Sequence, residues 1–306
     1  MENHILGVRN LTITETERLF DLARSLKYDR TTRQSAPLKG LSVALLFQHP
    51  SLRTKASFDV AIHELGAHPV YFGNEEVRMG TRETPEDVAR VLSRYVAAIV
   101  ARLRSHKDLE RLAAASTVPV INALTDLEHP CQALADLLTI QEVFGGLQGN
   151  HLAFIGDADN NVATSLLLLA PKLGVRFTLI APHGYQPRAA VLQQAITDGN
   201  APVAVVDRPD QADLASINIL YTDVWISMGQ EEEQHRRKED LRNYQVNNVL
   251  LDRCRSDCIV LHCLPAKRGQ EITADVLDGP HSRVFDQAEN RLHIQKALLQ
   301  MVLAKE

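Results

Sequence analysis

Strand-like and helix-like segments alternate along almost the whole chain, and a glycine-rich break at Gly145-Gly146 and Gly149 splits the alternation into two series. In the first series, Leu41 to Phe47 is an apolar, strand-like run. Thr54 to Leu65 follows with Phe58, Ile62 and Leu65 on one helical stripe. Val70 to Phe72 predicts a short strand. Thr84-Pro85-Glu86-Asp87 has the order of a helix start: a capping hydroxyl, proline in the first turn, then acids. Strands at Ala98 to Ala101 and Val118 to Ile121 flank a helix at Lys107 to Ala115, and a longer helix covers roughly Pro130 to Phe144. After the break, strands are expected at His151 to Ile155, Arg176 to Ala181, Val203 to Val206, Ile217 to Tyr221 and Ile259 to His262. The last helix is expected from about Gln287 to Leu303. Such alternation predicts an α/β fold of two domains, each a parallel sheet flanked by helices. A length of 306 residues suffices for two cores.

Ligands of such sheets bind beyond the carboxyl ends of strands, often between domains. After the first strand, Ser51-Leu52-Arg53-Thr54 opens a helix. Backbone N–H groups, two hydroxyls and a planar guanidinium there suit a phosphate. An N-cap beside a solvated arginine reads equally well. Arg102 stands at the end of the third strand. After the fourth comes Asn122, then His129-Pro130-Cys131-Gln132, where His129 and Gln132 share one face of a helical turn. Three strand ends of one series offering phosphate or carbonyl ligands make chance placement a poor account.

In the second series, Gly156-Asp157-Ala158-Asp159-Asn160-Asn161 lacks the three-glycine spacing of a dinucleotide site, so no such cofactor is expected. The asparagines could hold a carboxylate. Asp223 follows the Ile217 to Tyr221 strand and could pair with an ammonium; a helix cap is the plainer alternative. Cys254, Cys258 and Cys263 crowd near His262. A zinc site is not expected, because Cys258 lies in a buried strand and His262 and Cys263 would face opposite sides of it. A net charge of −5 argues against a general nucleic-acid binder. No run approaches the ~20 apolar residues of a membrane span. Met1-Glu2-Asn3-His4 is not the basic start of a targeting segment, so a cytoplasmic location is expected.

Together these motifs resemble the transcarbamylase family, and most closely its ornithine-accepting branch. Ser51-Leu52-Arg53-Thr54 is similar to the family's Ser-Thr-Arg-Thr motif and His129-Pro130-Cys131-Gln132 to its His-Pro-x-Gln motif. Asp223 to Gly229 resembles its mobile substrate loop, and His262-Cys263-Leu264-Pro265 the ornithine-branch signature. The resemblance implies a carbamoyl-phosphate domain at residues 1–140, completed by a C-terminal helix (about 288–306) that packs back on it, and an ornithine domain at 141–287. It implies transfer of a carbamoyl group from carbamoyl phosphate to the side-chain amine of L-ornithine, without cofactor or metal. Arg53, Arg102, His129 and Cys263 would be catalytic. Ser51, Leu52, Arg53, Thr54, Arg102, His129, Gln132, Cys263, Leu264 and Arg291 would bind carbamoyl phosphate. Asn161, Asp223, Ser227 and Met228 would bind ornithine.

A homotrimer or a multiple of trimers, with Arg78 to Glu83 reaching a neighbour, and a place in arginine biosynthesis are implied in the same way. Sibling enzymes acting on putrescine or acylated ornithine are the alternative. A non-catalytic binding protein would be expected to lack Arg53, His129 or Asp223, and all three are present. Three departures bear on the phosphate: Leu52 stands where threonine is usual, Gln48-His49 where Glu-Lys is common, and Lys55 where arginine is common.

Overall fold

The computed structural model describes residues 4–31, 36–226 and 231–304. They form two compact units, Met1–Ala135 with Glu289–Glu306, and Asp136–Ala288.

The first unit begins with helix α1 (Ile13–Tyr28), started by a capping box in which Thr12 and Glu15 bond each other's backbone N–H groups. Its sheet holds β1 (Ser42–Phe47), β2 (His68–Phe72), β3 (Ala98–Arg102) and β4 (Val120–Leu124), in the order β2-β1-β3-β4 with every pairing parallel. Helices α2 (Leu52–Glu64), α3 (Pro85–Leu92) and α4 (His106–Ala115) connect the strands. β3 and β4 are buried along their whole length, which explains their unbroken apolar character. The expected start at Thr84 is observed: its hydroxyl accepts the Asp87 N–H, and Pro85 occupies the first turn.

Two expected strand boundaries move, and both moves matter for chemistry. Pro119 cannot donate to a ladder, so β4 starts at Val120 rather than Val118 and runs on through Asn122 to Leu124. β3 includes Arg102, whose register partner on β1 is Phe47. Arg102 is therefore the last residue of a central strand and not part of a loop.

Helix α5 (Pro130–Phe144) carries the chain into the second unit. There β5 (His151–Ile155), β6 (Arg176–Ile180), β7 (Val203–Val206), β8 (Ile219–Thr222) and β9 (Ile259–His262) form a parallel sheet in the order β7-β6-β5-β8-β9. Helices α6 (Asn161–Leu169), α7 (Ala189–Asp198) and α8 (Gln234–Leu241) lie between strands in sequence. Strand order reverses between β1 and β3 in one sheet and between β5 and β8 in the other. Those reversals are where a doubly wound sheet opens a ligand crevice.

The last helix, α9 (Val284–Leu303), returns the chain to the first unit. Its Lys296 Nζ lies 2.9 Å from Glu64 Oε2, both side chains being buried, and Arg30 Nε reaches Glu64 Oε1 at 3.1 Å. Burial pushes the Glu64 carboxyl upward, but the two cations outweigh it and hold it below its ordinary value. Lys27 Nζ also donates to Asn290 Oδ1 at 2.9 Å.

The first residue of β5, the central strand of the second sheet, is a buried histidine with a consequence for stability. His151 lies 2.8 Å from Ser216 Oγ and from Thr178 Oγ1. Burial, helped by Arg176, pulls it down to about 4. Between pH 6.5 and about 4 the unfolded chain therefore binds a proton at His151 that the folded chain refuses. The stability that His151 contributes is complete above pH 6.5 and is lost as pH falls towards 4. Urea titrations of the wild type and H151Q should differ most above pH 6.5. The gap should shrink by at most about 3 kcal/mol on acidification. A gap independent of pH would contradict this account.

Candidate active site

In the first unit, Ser51 is the N-cap of α2, and its hydroxyl accepts the Thr54 N–H at 3.4 Å. Leu52 points outward, with 82% of its surface exposed, and Arg53 is half-buried. Thr54 is buried, and two guanidiniums converge on its Oγ1: Arg291 Nη2 at 3.0 Å and Arg102 Nη1 at 3.5 Å. Arg291 Nη1 also donates to Gln132 Oε1 at 2.6 Å. Thr54, Arg102, Gln132 and Arg291 thus come from β3 and three helices and form one hydrogen-bonded cluster. Two buried guanidiniums facing one oxygen give this cluster a positive charge that suits an anionic ligand.

His129, just before α5, is buried in the same unit. Burial, then the charges of Arg291 and Arg102, hold its imidazole well below the ordinary value. It is neutral at pH 7 and can donate a hydrogen bond without adding a third positive charge.

The departures around this cluster have definite structural roles. Gln48 Oε1 accepts the Arg104 N–H at 2.8 Å, and its amide donates to the Met79 carbonyl at 3.3 Å. His49 Nε2 accepts from Arg104 Nε at 2.9 Å, and burial with Arg104 and Arg102 lowers its pKa. Lys55 Nζ sits 3.5 Å from the centroid of the Tyr71 ring, a cation–π contact with β2. Arg104 carried no sequence signal, because its importance lies in contacts to residues 55 and 56 positions earlier.

In the second unit the two asparagines after β5 divide the work. Asn160 is the N-cap of α6 and accepts the Ala163 N–H at 2.8 Å. Asn161 is the first helical residue and is half-buried. After β8, the buried Asp223 accepts the Val224 N–H at 2.8 Å through Oδ1, and the Cys263 thiol lies 3.0 Å from the same oxygen. Burial, then the nearby charges of Asp136, Cys263 and Asp223, raises the Tyr221 hydroxyl well above its usual value. Ser227 and Met228 lie outside the described residues.

Sequence reasoning missed a buried ion pair here. Arg237 on α8 donates to Asp157 Oδ2, and its Nε donates to the Trp225 carbonyl at 2.8 Å. Burial raises the Asp157 carboxyl to about 6 although Arg237 pulls the other way. In sequence, Arg237 is one of many charges in residues 231–240. Only its burial separates it from them.

One expectation about the cysteines needs correction. Asp223, His262 and Cys263 bring one ligand-type atom each within 4.8 Å of one another. The argument that His262 and Cys263 face apart fails because β9 ends at His262 and the chain turns at Leu264, whose φ is 55°. Both ring nitrogens of His262 are engaged, one with the Leu264 N–H and one with Glu271.

Two parallel sheets whose strand ends present a cationic, anion-binding cluster in one unit and a carboxylate–thiol pair in the other fit a transferase, and the chain belongs to the aspartate/ornithine carbamoyltransferase family. Residues 3–142 match that family's carbamoyl-phosphate binding domain, and residues 148–302 its aspartate/ornithine binding domain. Its relatives narrow the branch. An ornithine carbamoyltransferase of Acidothermus cellulolyticus is 51% identical over 307 residues, covering 99% of this chain and 97% of that protein. One from Archaeoglobus fulgidus is 45% identical, covering 99% and 98%. The solved ornithine carbamoyltransferase of Pyrococcus furiosus is 42% identical, with a TM-score of 0.95 over 99% of this chain and 98% of its own.

Proposed function

We propose that the chain transfers the carbamoyl group of carbamoyl phosphate to the side-chain amine of L-ornithine, giving L-citrulline and phosphate. The observation that carries this reading is the convergence of Arg102 and Arg291 on Thr54, beside a histidine held neutral. The first unit takes carbamoyl phosphate: Ser51, the backbone at Leu52, Arg53 and Thr54 hold the phosphate. Arg102, His129, Gln132 and Arg291 hold the carbamoyl group and its neighbouring oxygens. The exposed Leu52 side chain is compatible with its position binding through the backbone N–H alone. The second unit takes ornithine, with Asn161, Asp223, Ser227 and Met228 on its α-carboxylate and α-ammonium. Cys263 and Leu264 lie beside the attacking amine.

The neutral amine attacks the carbamoyl carbon, a tetrahedral intermediate forms, and phosphate leaves. Negative charge grows on the carbamoyl oxygen, and fixed donors at Arg102, Thr54 and His129 stabilise it; one such donor contributes roughly 3–4 kcal/mol. An amine of this kind titrates near ~10.4 in water, and desolvation lowers that value. The departing phosphate can take the proton, so the chemistry needs no separate base.

The direct test is carbamoyl transfer by the purified protein, read as release of phosphate from carbamoyl phosphate and by identifying the carbamoylated product, with L-ornithine, putrescine, N-acetylornithine and L-aspartate offered in parallel. Ornithine should be preferred by orders of magnitude in kcat/KM, and comparable turnover of another acceptor would overturn the assignment. Carbamoyl phosphate should bind first. Calorimetry with a non-hydrolysable carbamoyl-phosphate analogue should show ornithine binding strengthened by the analogue, and equal affinity with and without it would refute the order. We assign the protein to arginine biosynthesis in the cytoplasm as a homotrimer or a multiple of trimers; a sedimentation coefficient of a monomer would refute the trimer. No helix among the described residues is long and apolar enough to cross a membrane.

A further inference from the structure

β9 ends beside two ionisable side chains that the chemistry above does not use. His262 and Glu271 are both fully buried, and ring Nε2 lies 3.2 Å from Glu271 Oε1. The other ring nitrogen, Nδ1, accepts the Leu264 N–H at 2.9 Å. A backbone amide can only donate, so Nδ1 carries no proton and the ring hydrogen sits on Nε2, pointing at the carboxylate. Glu271 is itself held by the Lys267 N–H, at 2.5 Å from the same oxygen.

The histidine backbone is fixed as firmly. Its N–H donates to Gln287 Oε1 at 3.0 Å, and the Gln287 amide reaches Asp136 Oδ1 at 2.7 Å and the Tyr221 hydroxyl at 3.0 Å. Leu264, at the far end of the contact, has φ 55°, a left-handed conformation that residues other than glycine rarely adopt. Such a conformation persists only where its surroundings enforce it. The hydrogen bond from Leu264 N–H to the ring is a visible enforcer. Between the two residues, the Cys263 thiol meets Asp223.

We infer that His262 and Glu271 are positioning residues for the transfer: Glu271 selects the ring tautomer, and ring Nδ1 anchors the Leu264 N–H, aiming the Cys263–Leu264 corner at the attacking amine. This rests on the assignment of Cys263 and Leu264 to that amine. The competing account is a buried pair that only stabilises the unit. The two accounts part at the ring's two ends. Asparagine can keep an acceptor where Nδ1 stands and loses the Glu271 link. Glutamine reaches towards Glu271 and loses the Leu264 anchor.

The experiment measures citrulline kinetics, thermal stability and analogue binding for wild type, H262N, H262Q, E271Q and E271L. A corner displaced by about 1 Å costs roughly a hundredfold in turnover. H262Q should therefore lose roughly a hundredfold in kcat, and H262N should recover most of it. E271Q, which keeps an acceptor for the ring, should outperform E271L. The carbamoyl-phosphate analogue, held mostly by first-unit residues, should bind every variant that folds, with a loss far smaller than the loss in kcat, only the contacts at Cys263 and Leu264 being affected. Losses of kcat that follow the fall in melting temperature, equal for H262N and H262Q, would overturn the inference. Side-chain 15N NMR of the wild type supplies a readout independent of turnover: the resonance absent from H262N should show a protonated Nε2 and a bare Nδ1. A proton on Nδ1 at neutral pH overturns the inference even if citrulline forms. A wild type with the Nε2–H ring and no citrulline instead removes the substrate assignment.

Discussion

Arg53→Ala should cut citrulline formation by roughly 10²–10³ in kcat/KM while leaving the fold intact, the loss typical of one preorganised donor to a developing or transferred charge. The structure separates the two effects. Arg53 is half-buried in the first turn of α2 and is not part of the buried cluster around Thr54. Alanine is a better helix former than arginine, so the helix itself loses nothing. The Ser51 cap and the pair of guanidiniums on Thr54 stay in place. What disappears is the planar fork that can grip two phosphate oxygens at once. Arg53→Lys should restore only part of the loss, because an ammonium offers a point charge and not a fork. Paired measurements of steady-state kinetics and thermal melting decide it. Near-normal turnover in Arg53→Ala would remove this residue from the phosphate site.

Asp223→Asn should weaken ornithine use by roughly 10- to 150-fold, the equivalent of the ~1.5–3 kcal/mol carried by a hydrogen bond to a charged group. Asparagine is the informative replacement. Its side-chain oxygen can still accept the Val224 N–H and the Cys263 thiol, so the local turn survives and only the charge is removed. The effect should appear in the KM for ornithine, with carbamoyl-phosphate analogue binding unchanged. Equal weakening of both ligands would mean that Asp223 supports the structure and does not read the substrate ammonium.

The α/β architecture and the candidate groups at the strand ends were legible because both depend on local order, whereas Arg291, Cys263, Leu264, Ser227 and Met228 entered the candidate site only through the family resemblance. Apolar runs and helix starts follow one another in sequence, and parallel sheets place their chemistry just past each strand. That logic led to Ser51–Thr54, Arg102, His129 and Asp223 without any contact being known. It also misjudged details for local reasons. Pro119 delays β4, and pairing with Phe47 draws Arg102 into β3. The turn at Leu264 lets His262 and Cys263 converge where strand alternation would part them.

The sequence by itself determined the alternating two-series α/β chain and the identity of the groups that end its strands, because hydrophobic periodicity and turn chemistry act over a few residues. Only the tertiary structure decided which of those groups meet. Arg291 reaches Thr54 across 237 positions and Gln132 across 159, Arg237 finds Asp157 across 80, and Gln287 finds Asp136 across 151. No periodicity encodes such pairings. They arise when packing removes water from charged and polar groups, and those groups must then find partners in one another.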